Sequence, residues 1–258
     1  MAKPQPEQHQ LPVAQRLRVR YAKRGRMRFI SHRDFARAFE RAVRRAGLPV
    51  AYSQGFSPHP KISYASAAPT GVATEAEYLE IALHTPVDPE AARAALDAAL
   101  SPGLDVLEVR VAGPGPSLAE RLEASRWRVE LPGVSPEQLA SAVAAFLAAD
   151  EVMVERLTKQ GRRRFDARQP VIAMEPGAVP DTAGAGECAM MELVVRQGSP
   201  AVRPDDVLAG LRVVAGLEPP VPPRVTRVAQ GMVTPRGEIA DPLAEDAAIG
   251  QAGPLVAG

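Results

Sequence analysis

Two arginine patterns stand close together near the start of the chain. In Arg16–Tyr21 (RLRVRY), Arg16, Arg18 and Arg20 alternate with Leu17, Val19 and Tyr21. A few residues later Arg33, Arg37, Arg41 and Arg45 recur at every fourth position. The first spacing places three guanidinium groups on one face of a strand, and the second lines four along one side of a helix. Guanidinium groups in such rows hold phosphates, so the chemistry they suggest is polyanion binding. The chain has 31 Lys+Arg against 30 Asp+Glu and a net charge of +1, which argues against a polyanion partner until the charge is located. Residues 16–64 hold 13 basic residues and two acids, Asp34 and Glu40, a net of +11, so the remainder carries −10.

Next to the arginines lies Ser53-Gln54-Gly55-Phe56-Ser57-Pro58-His59-Pro60-Lys61. Two prolines fix the backbone around His59 and a glycine permits a tight turn, so the segment reads as a shaped recognition loop presenting Gln54, Phe56, His59 and Lys61. His32, His59 and Lys61 also form a possible catalytic set, since two imidazoles and an ammonium can cleave RNA at a 2′-hydroxyl without metal. Eight of the 11 aromatic residues fall within 21–78. Phe35, Phe39 and Tyr21 take core spacing, which leaves Phe56, Tyr64 and Tyr78 as stacking candidates. A second basic group, Arg156, Lys159, Arg162, Arg163, Arg164 and Arg168, lies on an expected hairpin and either extends the phosphate track or is a solvated tip.

The elements that must position these residues follow from periodicity. Arg16–Tyr21 is a half-buried strand, and Ser31 with Asp34 caps a helix whose apolar stripe is Phe35, Phe39, Ala42 and Val43 and whose stop is Gly47 and Pro49. Strands over 61–66 and 77–83, a helix over 88–100 and a strand over 104–111 complete a β-α-β-β-α-β order. Residues 126–131, 136–148, 152–157 with 162–165, 187–196, 204–211 and 224–228 repeat it, with 174–187 as an inserted loop. The expected fold is therefore α+β, two tandem ferredoxin-like (split βαβ, RAMP-like) units with disordered termini. Expected boundaries are a disordered 1–14, unit 1 over 15–112, a linker over 113–124, unit 2 over 125–229 and a disordered tail over 230–258. In this topology the helices cover one sheet face, so Arg16, Arg18 and Arg20 are expected on the open face, where a single strand of RNA would lie; the alternative is a solvated face on which Glu80 and Tyr78 of the adjacent strand pair with them.

Cys188 is the sole cysteine, so a disulfide framework, a four-cysteine zinc site and an iron–sulfur cluster within this chain are excluded. No P-loop, dinucleotide fingerprint or metal-ligand spacing occurs, and no cofactor or metal is expected. No apolar run reaches transmembrane length, and the expected location is cytoplasmic.

The stretches "RFISHRD", "RAVRRAGLPVAYSQGFSPHPKISYA" and "EAEYLEIAL" resemble an uncharacterised bacterial domain that occurs fused to, or encoded beside, radical SAM proteins of the cobalamin-binding type. The resemblance is specific over the first third and looser to about residue 230. It implies Ser31, His32, Asp34, Arg44, Arg45, Gln54, Gly55, Phe56, Pro58, His59, Pro60, Lys61, Glu75, Glu77 and Tyr78 as motif positions. The chain departs from it at Arg33, usually apolar, and Ser57, usually Asn. Topologically it is also similar to the tandem ferredoxin-like RAMP proteins that bind and cleave CRISPR RNA. Three readings follow. The leading one is an RNA-binding accessory to a radical SAM protein or a ribonuclease in trans, holding RNA through Arg16, Arg18, Arg20, Arg33, Arg37, Arg41, Arg45 and Arg162–Arg164 with the 54–61 loop. The second is a metal-independent RNase using His32 and His59, and the third a protein adaptor.

Overall fold

A computed structural model describes residues 12–54, 56–158, 161–179 and 187–251. Lys159, Gly55 and the outermost parts of both termini therefore lie outside the described residues.

The first half builds β1 (Gln15–Lys23), a 3-10 turn (Gly25–Phe29), α1 (His32–Arg45), β2 (Ile62–Ala65), β3 (Ala73–Leu83), α2 (Pro89–Ala99) and β4 (Leu104–Val111). The second half builds β5 (Ala124–Pro132), α3 (Pro136–Ala148), the hairpin β6 (Met153–Thr158) and β7 (Gly161–Asp166), then β8 (Val171–Ala178), β9 (Cys188–Arg196), α4 (Pro204–Ala215) and β10 (Arg224–Gly231). α5 (Ala244–Gln251) follows. Strand order is β4-β1-β3-β10-β5-β9-β8, with β2 also on β3. This is the ferredoxin-like order twice, 4-1-3-2 in the first half and its counterpart in the second, joined through β3 and β10 into one sheet.

β3 makes the join because it is long enough to be shared. Its residues Tyr78–Ile81 pair antiparallel with β2, and Ala73 and Thr74 pair parallel with Thr226 and Arg227 of β10. The crossovers β1-α1-β2 and β5-α3-β8 run the same way across the sheet and are right-handed, so their helices share a face. On that face Leu17, Val19 and Tyr21 pack with Phe35, Phe39 and Val43 of α1 and Leu96 of α2. Val129 and Leu131 pack there with Leu139, Val143 and Phe146 of α3 and Leu211 of α4.

Three expectations need correction. First, the strands at 152–157 and 162–165 leave the main sheet as a separate hairpin, and β8 takes the edge next to β9. Part of the expected 174–187 loop is thus strand. Pro176 disguised it, yet an edge strand accommodates a residue that donates no ladder bond.

Second, residues 230–251 are not a disordered tail. The chain turns back over Thr234–Gly237 and returns against Gly231, where a Cβ would stand 1.8 Å from the Ala240 carbonyl oxygen, and Leu243 is buried with Leu118, Leu122, Ala76 and Tyr78. The expected 113–124 linker, carrying Leu118 and Leu122, belongs to the same small core.

Third, this covering lies over Arg18 of β1, while Arg16 stays exposed. Arg18 is 3% exposed and donates from Nη1 to both carboxylate oxygens of Asp246 at 2.9 Å, with Nε at 3.4 Å from Glu80. Arg16 pairs with Glu80 at 2.9 Å, and Arg20 donates to the Glu75 carbonyl at 2.9 Å. Glu80 of the adjacent strand is the partner the topology offered, and Asp246 of α5 is the carboxylate that local charge counting did not find.

Candidate nucleic-acid interface

With Arg18 covered, a row of free basic charge remains on α1. Ser31 Oγ accepts from the Asp34 N–H at 3.1 Å, which fixes the first turn. Phe35, Phe39, Ala42 and Val43 then face the core and turn Arg33, Arg37, Arg41, Arg44 and Arg45 to solvent. Among the described residues Arg33, Arg37 and Arg41 have no ion pair or hydrogen bond; Arg44 stands 3.9 Å from Glu40 and Arg45 donates to the Ala99 carbonyl. At 1.5 Å per residue, Arg33 to Arg45 form a row about 18 Å long with about 6 Å steps.

From Arg45 the chain reaches the Ser53–Lys61 loop through Ala46–Val50. The neck of the loop is fixed to the sheet: Ala51 N–H donates to Ala82 and Lys61 N–H to Ala51, each at 2.8 Å. Inside it Ser53 N–H donates to the His59 carbonyl at 2.9 Å, the His59 N–H donates to Ser53 Oγ at 3.1 Å, and that hydroxyl lies 2.9 Å from His59 Nδ1. This bracing uses His59 Nδ1 for structure and leaves Gln54, Ser57, Pro58 and Lys61 exposed. Phe56 is 93% exposed. The ring thus stands in water on a loop tethered to the sheet.

The structure does not assemble the histidine pair. His32 packs edge-on against the Tyr64 ring, centroids 5.2 Å apart, whereas His59 bonds within its own loop. No ring contact or hydrogen bond joins them among the described residues. Tyr64 and Tyr78 are not stacking candidates either, since Tyr64 packs against Phe35 and Tyr78 is 2% exposed.

Arg162, Arg163 and Arg164 are exposed on β7; Arg162 lies 3.8 Å from Glu155, and the other two have no partner among the described residues. Arg156 is instead pinned, 2.7 Å from Asp206 and over the Phe165 ring. At the hairpin base Asp166 accepts from the backbone N–H groups of Val152 and Arg168, each at 2.8 Å, and of Gln169 at 3.0 Å. Partial burial raises its pKa, but these three bonds outweigh burial and hold the carboxyl below its ordinary value. A depressed carboxylate contributes stability above its unfolded pKa, about 3.9, and loses it as pH falls through the folded value. Asp166→Ala is expected to cost about 1 kcal/mol at neutral pH, as for a lost capping residue. The gap from wild type should close in acid below about pH 4, which urea unfolding at both pH values checks.

Sequence reasoning missed a charged cluster where the two halves meet. Glu77 is fully buried, ion-paired with Arg227, and accepts from the Ala68 N–H at 3.2 Å through each oxygen. Lys23 donates to the Ala68 carbonyl at 3.4 Å, and burial lowers its pKa while Glu77 raises it. The signal available was Glu77 itself, an acid amid an apolar strand.

With this geometry in place, the family model described as an uncharacterized protein conserved in bacteria (DUF2344) matches residues 16–204. The chain belongs to that family. The matched span contains the α1 row, the Phe56 loop and the hairpin; Arg227 and Asp246 fall after it. A search of curated proteins finds no match. Among solved structures, the chain is similar to an unknown protein from Galdieria sulphuraria, at 15% identity over 85% of this chain and 99% of that one, with a TM-score of 0.23. It is similar to the first two RRM domains of yeast poly(U) binding protein, at 11% identity, 82% and 98% coverage and a TM-score of 0.21. For a CRISPR-associated protein from Thermus thermophilus the values are 13%, 84%, 96% and 0.20. Scores at this level say nothing of what this family member binds. Among the described residues no helix is long and apolar enough to cross a membrane.

Proposed function

We propose that this protein binds single-stranded RNA along α1, with the Phe56 loop stacking on a base at one end of the row. The observation that carries the reading is Phe56, 93% exposed on a loop whose neck is hydrogen-bonded to the sheet and which follows the arginine-lined helix α1 in the chain. Arg33, Arg37, Arg41 and Lys61 are the phosphate contacts in this reading, with Arg163 and Arg164 as a second, separate group. Arg18 is withdrawn from the set because its guanidinium already holds Asp246. Its single cysteine, Cys188, provides no cluster motif, so in this reading the chain serves a radical SAM or RNA-processing enzyme in trans, delivering or holding the RNA.

Phe56→Ala tests the stacking arm. Base stacking on an aromatic side chain is worth about 1–3 kcal/mol, so affinity for a single-stranded oligoribonucleotide should drop by about 5- to 150-fold. Because stacking carries no charge, the dependence of affinity on salt should keep its slope, and the exposed ring should leave the thermal midpoint unmoved. Unchanged affinity in a fluorescence anisotropy titration would remove Phe56 from the interface.

A further inference from the structure

We infer that the cleft between the two halves of the sheet is a binding site for a phosphate monoester. This inference stands apart from the α1 interface and does not rest on it. Where β2 ends at Ala65 the turn Ser66–Pro69 leaves the sheet, and a cleft of about 210 Å³ opens between that turn and the second half. Its wall includes Ser66, Trp127, Arg196, Gln197, Arg203 and Arg227, with no acidic side chain among the described lining residues.

Charge is the first argument. Arg227 is neutralised by Glu77, whereas Arg196 and Arg203 have no ion pair among the described residues. The cleft therefore presents two guanidinium groups outside any ion pair, Arg203 sharing its charge at longer range with Asp206. A phosphate monoester carries about −1.5 to −2 at neutral pH, because its second pKa is near 6, and matches that count. A backbone diester carries a single charge and does not. Arginine forks also suit phosphate oxygens geometrically.

Unpaired donors are the second argument. Trp127, 5% exposed, and Arg227, 2% exposed, both belong to the cleft wall; the Trp127 indole Nε1 and Arg227 Nε are buried without an acceptor. Buried donors are normally paired, and an exception calls for a partner from outside the chain. Both atoms have essentially no accessible surface, so an anion in the cleft reaches them only when a side chain of the wall shifts.

The wall is also built to hold its shape. Glu77 binds the Arg227 guanidinium and the Ala68 N–H at once, so it locks the turn to the second half. Ser66, with φ +43°, is the one non-glycine residue in the left-handed region among those described, and its hydroxyl accepts from Gln197 Nε2 at 2.8 Å. Strained backbone of this kind is retained where the surroundings over-determine it, as in ligand sites. The volume lies below the about 300–1,000 Å³ of pockets for drug-sized ligands, which fits a phosphate with its sugar rather than a dinucleotide.

Trp127 is the sole tryptophan, so its emission reports the cleft directly. The full chain would be titrated with AMP and with a short oligoribonucleotide carrying either a 5′-phosphate or a 5′-hydroxyl. A saturable change in emission with AMP assigns a free nucleotide, and one confined to the 5′-phosphorylated oligonucleotide assigns an RNA end; either supports the site. Arg196→Ala/Arg203→Ala should weaken the response by about tenfold or more, since two charge-assisted bonds are lost. Both side chains are exposed, so the fold should survive the change. Arg33→Glu/Arg37→Glu/Arg41→Glu should leave the response intact, which separates this site from the α1 interface. No emission change with any probe at millimolar concentration overturns the proposal. So does an equal response to the 5′-hydroxyl oligonucleotide, or a response that survives the double alanine variant.

Discussion

Arg33→Glu/Arg37→Glu/Arg41→Glu is expected to lower affinity for single-stranded RNA by about 100-fold at about 0.1 M salt. For single strands each phosphate contact contributes about −0.7 to the slope of log affinity against log salt. Loss of three contacts flattens the slope by about 2, and at about 0.1 M that equals about two decades in affinity, before the repulsion of the new carboxylates is added. The three side chains are exposed and have no partner among the described residues, so the thermal midpoint should hold within the range of ordinary surface substitutions. Anisotropy titrations over a salt series measure affinity and slope together. An RNA affinity and slope equal to wild type would end the α1 reading. The superficially similar Arg18→Glu change cannot serve as this test, because it would bury a carboxylate against Asp246, itself 1% exposed, and destabilise the fold whether or not RNA binds there.

That contrast shows what was legible in the sequence. α1 was readable to its cap because a helix is a local object: Ser31, the Phe35–Phe39–Val43 stripe and the arginines opposite are fixed by one period. The repeated β-α-β-β-α-β order was readable for the same reason. The alternation in β1 was equally plain, but it says which side chains share a face and nothing of what later covers that face. Asp246 reaches Arg18 across 228 positions from a segment whose Ala, Gly and Pro content resembles a tail. Likewise Pro176 looked like a loop residue because its tolerance depends on β8 being an edge, a property of the assembled sheet. The Phe56 loop was located by its prolines and glycine, while the bracing of His59 by Ser53 depends on side-chain geometry.

Glu77 is the motif acid whose role becomes clear only in the assembled sheet, and its removal should be the costliest single change here. Glu77→Ala leaves the Arg227 guanidinium, 2% exposed, without its counter-charge and the Ala68 N–H without its acceptor. Removing one partner of a buried pair typically costs about 3–5 kcal/mol, because the remaining charge is uncompensated. For a chain of this size that is a fall on the order of 10 °C in thermal midpoint. Glu77→Gln keeps an acceptor in place and should cost less. Glu77→Ala/Arg227→Met removes both charges and should recover much of the loss, so the double variant separates an orphaned charge from a mere cavity. Lys23 adds a pH signature. Burial already lowers its pKa against the raising effect of Glu77, and without Glu77 the value drops further. A lysine depressed in the folded state penalises folding while protonated, so stability rises as pH passes upward through its folded pKa. The deficit of Glu77→Ala should therefore narrow toward alkaline pH in urea unfolding. A pH-independent deficit, or a double variant no more stable than Glu77→Ala, would mean that Glu77 acts by packing alone and that the junction is not held by charge.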